Sequence, residues 1–206
     1  MMCSENRPGQ RGFAGLSGFF LGWMLAWPWT AGAIDVQPTA ERVRAALEQG
    51  RAAAKARTPP NELYAWFGGT SEQEPRGFLM TKLAGLAVMA THFALRSEQP
   101  TEADIRQILD EKSMLVSVTL FGGNAAFARD SYMVLTQGEK TIKPVKVRSD
   151  GQATPAPMWP KTPPYRAKIV ASFLYEDFDP LAPTRISVFP GAGGEVPFDV
   201  DFSKVE

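Results

Sequence analysis

Few side chains in this sequence have the types and spacing that support catalysis. His92 is the only imidazole. It sits in an apolar run beside Thr91 and Phe93, with no carboxylate or nucleophile near it in sequence. A catalytic base needs both an orienting group and a partner to activate, so His92 reads as a structural or surface residue. The acidic run Glu176-Asp177-Phe178-Asp179-Pro180 and the pair Asp199-x-Asp201 hold the remaining clustered acid–base groups. Strand alternation puts Asp199 and Asp201 on one face. Clustered carboxylates suit calcium or a two-carboxylate hydrolase, but no EF-hand spacing is present, and Asp179-Pro180 also reads as the start of a turn. A hydrolase would use Asp177, Asp179 or Asp199 as acid or base, two of them converging in a pocket with one pKa raised.

Other motifs are excluded by their context. Gly68-Gly69 and Gly191-Ala192-Gly193-Gly194 lack the Gly-Lys-Ser/Thr and following helix of a phosphate-binding loop. Ser113, Ser131 and Ser172 have no Gly-x-Ser-x-Gly setting. No catalytic residue, metal ligand or cofactor is therefore expected.

The most distinctive stretch is Pro155-Ala156-Pro157-Met158-Trp159-Pro160-Lys161-Thr162-Pro163-Pro164-Tyr165, with five prolines in eleven residues. Proline stiffens the backbone, so aromatic residues displayed on such a loop lose little entropy on binding. The alternative is a long connection between strands, with Trp159 folded onto the core. The candidate contact residues are Trp159, Lys161 and Tyr165, with Trp66 as an outlying choice.

The elements that must position these residues follow a targeting segment. The polar start carries Arg7 and Arg11, the run from Phe13 to Trp27 is apolar or small, and Ala31-Gly32-Ala33 follows Pro28. That is the layout of a secretory signal peptide, with cleavage expected after Ala33. The apolar run is shorter than the ~20 residues needed to span a bilayer; the alternative is a retained N-terminal anchor. Cys3, the only cysteine, would leave with the signal, so the mature chain would enter an oxidising compartment without a disulfide or thiol nucleophile. Over the whole 206-residue chain, 22 Lys+Arg balance 22 Asp+Glu, which argues against a nucleic-acid partner held by a basic surface.

Helical spacing marks residues 34–112. A helix over 39–57 has Thr39 as its cap and a thin, Ala-rich apolar stripe, in which Gly50 costs about 1 kcal/mol relative to Ala. The apolar stretch 77–96, interrupted by Lys82, reads as a buried helix, with membrane association through 78–95 as a further possibility. Thr101-Glu102-Ala103-Asp104 opens a third helix, over 101–111, with a capping box. Leu63 to Gly69 is a short aromatic segment and Thr70 to Pro75 a loop.

From Ser113 the period changes to two, and six short strands follow. Pro144 places its strand at an edge or bulge, and Pro197 marks the last strand as an edge. Pairing Ile186 with Val200 and Val188 with Phe198 puts four apolar side chains on one face. The expected fold is α+β: N-terminal helices packed against a C-terminal antiparallel β-sandwich, Ig-like or a partial barrel, over 113–206. The expected function is that of an exported, non-enzymatic binding or structural protein of the cell envelope. Its partner would be a protein or envelope polymer, and a carboxylate-based hydrolase is the alternative.

Overall fold

A computed structural model describes residues 34–157, 161 and 163–205. The expected signal segment, its cleavage site and Trp159 lie outside these residues.

The described chain is α+β, with helices before and among the first strands and two antiparallel sheets in a sandwich-like, unclosed arrangement. Helix α1 spans Ala40–Ala56, capped by the Thr39 hydroxyl, which accepts from the Arg42 amide. Strands β1 (Ala65–Gly68) and β2 (Arg76–Met80) form a hairpin. Helix α2 covers Lys82–Leu95 and α3 Glu102–Leu109. Then come β3 (Ser113–Gly122), β4 (Tyr132–Gln137), β5 (Lys140–Ile142), β6 (Lys146–Ser149), β7 (Thr154–Pro155), β8 (Tyr165–Leu174), β9 (Pro183–Phe189) and β10 (Val196–Asp201).

One sheet runs β1-β2-β3-β8-β6, with β7 also on β8; the other runs β10-β9-β4-β5. Alternation fixes which side chains lie between them. Met114, Val116, Val118 and Leu120 on β3, and Ala167, Ile169, Ala171 and Phe173 on β8, are all buried. They meet Met133, Leu135, Ile186, Val188 and Phe198 from the four-stranded sheet in one core. Ile34, the first described residue, is only 2% exposed and belongs to this core.

Three expectations need correction. The stretch 77–96 is not one helix: Arg76–Met80 is a strand with Gly77 and Leu79 buried, and the Thr81 hydroxyl then caps α2 by accepting from the Ala84 amide. Gly-Phe-Leu-Met is too short and too uniformly apolar for its period to tell strand from helix. Residues 113–206 hold eight strands rather than six, because the stretch from Thr141 to Arg148 is divided into β5 and β6 and the two-residue β7 is added; β1 and β2 precede that region. The C-terminal hairpin is shifted by two residues from the expected pairing: Ile186 opposes Phe198, Val188 opposes Val196 and Arg185 opposes Asp199. A shift of two keeps every side chain on its expected face. Val196, Phe198, Val200 and Phe202 all pack on the core, although Phe202 begins a short 3₁₀ turn.

The prolines fall where their missing N–H is tolerated. Pro197 lies on the edge strand β10, and Pro144 separates β5 from β6, which belong to different sheets.

The helices form a second, smaller core in which Ala46 and Leu47 of α1 meet Leu86 and Ala90 of α2, with Ile105, Ile108 and Leu109 of α3 alongside. The expected capping box is present: the Thr101 hydroxyl accepts from the Asp104 amide while the Asp104 carboxylate accepts from the Thr101 amide. Among the described residues no helix is long and apolar enough to cross a membrane.

Candidate functional site

The β1–β2 hairpin gathers aromatic side chains at a free sheet edge. β1 is the outermost strand of the six-stranded sheet and, among the described residues, is paired only with β2. Trp66 opposes Phe78 in the register, and both lie on the face turned away from the sandwich core. Tyr64 joins them: its ring stacks on Phe78 at 4.2 Å between centroids, and Trp66 meets Phe78 edge-on at 5.3 Å. Such contacts hold rings in fixed orientations.

Trp66 remains 41% exposed yet is held on several sides. Its indole Nε1 donates to the Asn61 carbonyl at 2.7 Å. The Arg76 guanidinium lies 4.6 Å from the ring centroid, a cation–π contact, and Arg76 also reaches Glu72 at 3.7 Å. The connecting loop is folded on itself. The Glu74 carboxylate accepts from the Thr70 and Ser71 amides at 3.0 and 3.2 Å, and the Gly69 amide donates to Pro75. Asn61, Glu62, Trp66, Glu72 and Arg76 line a groove of about 430 Å³ along this edge. The arrangement offers a fixed aromatic surface, charges of both signs and an unpaired strand edge.

Of the candidate contact residues that are described, Trp66 and Tyr165 lie on opposite faces of the six-stranded sheet. Trp66 faces outward on the six-stranded sheet. Tyr165 stands at the start of β8 on the opposite face, opposing Gly122, half-buried against the sandwich core. Lys161 is exposed. The patch residues outside the candidate set are Tyr64, which lies two residues before Trp66, and Phe78 and Arg76, which only the hairpin register brings to it.

Three of the acidic side chains, Asp179, Asp199 and Asp201, have structural partners. The Asp179 carboxylate accepts from the Leu181 amide, and its backbone exchanges two hydrogen bonds with the Gln137 side chain. Asp199 receives the Arg185 guanidinium at 2.9 and 3.3 Å. This hydrogen-bonded partner holds its carboxyl below the usual carboxylate range, whereas a general acid needs a raised value. Asp201 is likewise lowered, first by Lys204 and then by Ser203. Asp199 and Asp201 share a groove of about 540 Å³ without Asp177 or Asp179. His92 is exposed near the end of α2. No three His, Cys, Asp or Glu side chains cluster closely enough to hold a metal ion among the described residues.

The chain matches no protein-family model and no curated protein.

Proposed function

We propose that this chain is an exported, non-enzymatic binding protein of the cell envelope that meets a protein or envelope-polymer partner through the β1 edge. The observation that carries this reading is Trp66: a large aromatic side chain, 41% exposed, yet immobilised by Asn61, Arg76 and Phe78 on a strand with one free edge. Tryptophan and arginine dominate the energetics of many interfaces, and an unpaired edge can accept an extended polypeptide as an added strand. Export rests on the basic start, apolar core and Ala31-Gly32-Ala33 of the first 33 residues. Cleavage after Ala33 would keep Ile34, a buried core side chain, in the mature protein. The lowered carboxyl of Asp199 weighs against the hydrolase alternative.

The test is recovery of partners from the envelope fraction by wild-type protein and by the Trp66→Ala and Trp159→Ala variants. Loss of a partner with Trp66→Ala supports the β1 edge. Loss with Trp159→Ala alone moves the contact to the proline-rich loop. Equal recovery by all three forms contradicts an aromatic contact surface.

A further inference from the structure

Lys82 is 8% exposed. Its ammonium donates to the Leu109 carbonyl at the end of α3 and lies 5.3 Å from the Tyr175 ring centroid. No carboxylate lies within 4.0 Å of it among the described residues. A buried cation without an anionic partner is costly to maintain. One backbone carbonyl and one aromatic face engage it, leaving donor capacity on a group that carries three N–H bonds.

Lys82 also lines a cavity of about 290 Å³ between α2, α3 and the outer face of the six-stranded sheet. Met80, Ile108 and Leu115 supply an apolar lining, and Ser172 adds a hydroxyl. Tyr175 sits at the same cavity. Burial pushes its phenol up to about 12, against the opposing effect of the Lys82 amide hydrogen-bonded to its oxygen, and nearby Glu111 adds to the rise. The phenol therefore keeps its proton and can donate it.

We infer that this cavity binds a small monocarboxylate with a compact apolar body, the carboxylate meeting Lys82 and Tyr175 and the body lying on Met80, Ile108 and Leu115. Lys82 and Tyr175 both line the cavity and supply it with a cation that has no carboxylate partner among the described residues and a neutral donor, the pair of groups that suits an anion. Glu111, exposed and lining the same cavity, selects against a dianion by repulsion. The volume sits at the lower end of the usual range for ligand cavities, enough for a body of about six carbons. The site is separate from the Trp66 groove and stands or falls without it.

The probe is hexanoate, titrated into the full chain and followed through amide NMR signals, with hexanol and hexyl phosphate alongside. Saturable shifts at Gly85, Ile108 and Ser172 are expected, with a Kd near ~1 mM for so few atoms. Lys82→Met should weaken binding about tenfold or more, and Glu111→Gln should strengthen it. Gly85 lines the cavity, and a Cβ there meets only Ile108, at 3.4 Å. Gly85→Met therefore fills the space while leaving Lys82 and Leu109 in place, and it should abolish binding. If Lys82→Met does not fold, Gly85→Met decides. Absence of saturable shifts in the wild-type chain, binding of hexanol as tight as hexanoate, tighter binding of hexyl phosphate, or unchanged binding in Gly85→Met overturns the assignment.

Discussion

The Thr91 hydroxyl shares its one proton between the Gly50 carbonyl at 3.0 Å and the Ala87 carbonyl of its own helix at 2.9 Å, tying α2 to α1. A Cβ placed on Gly50 would lie 2.1 Å from the Ala87 oxygen and 2.8 Å from the Ala90 Cβ. Helix propensity alone makes Gly50→Ala stabilising by about 1 kcal/mol. The contact reverses the sign, because the helices must separate to admit the methyl group, and overpacking of this kind costs about 1–3 kcal/mol. Gly50→Ala is therefore predicted to lower unfolding stability in urea, and a more stable variant would contradict the packing. Thr91→Val should also destabilise, by about 1–2 kcal/mol, since it leaves the buried Gly50 carbonyl without that donor.

Tyr175 makes stability depend on pH at the alkaline end. Its folded pKa is raised to about 12 from 10.0. Below pH 10 the phenol is protonated in both states and the contribution is intact. Between about pH 10 and 12 the unfolded chain releases the proton and the folded chain holds it, so stability falls by about 2–3 kcal/mol. Urea unfolding followed across that window should show the decline, with a shallower slope for Tyr175→Phe. Equal slopes would place Tyr175 in water.

At the C-terminal hairpin, burial outweighs the ion pair. The Arg185 and Asp199 side chains are 53% and 75% exposed, and solvent-exposed pairs contribute little. Asp199→Asn should leave the midpoint of unfolding almost unchanged at neutral pH. Its lowered pKa gives a contribution that is present above the ordinary Asp range and fades as pH falls through the folded value. Phe198→Ala removes a core ring that meets Phe67 edge-on at 5.3 Å and should cost about 3–5 kcal/mol. Comparable losses from the two substitutions would refute this ranking.

That hairpin also shows what can be read from residues alone. Period-two patterning assigns Ile186, Val188, Val196 and Phe198 to one face, but it leaves registers that differ by two residues equivalent. The choice is made by the connection from Pro190 to Glu195, whose glycines allow several turn geometries. Long strands and capped helices are legible for the opposite reason: β3 and β8 have many alternating positions, and Thr39 and Thr101 announce their helices. β1 and β2 are hidden because short apolar segments have no distinguishable period. At the candidate site Trp66 stands out by residue type and Tyr64 follows from alternation, but Phe78 and Arg76 reach it only through strand pairing. Lys82 is visible as a charge inside an apolar run, although the cavity beside it requires α3 and the sheet.

Export decides which partners the β1 edge can meet. The most direct measurement is the intact mass of the protein recovered from separated cytoplasmic and envelope fractions. An envelope form beginning at Ile34, whose side chain is in the sandwich core, is expected. A full-length form confined to the cytoplasm would contradict export.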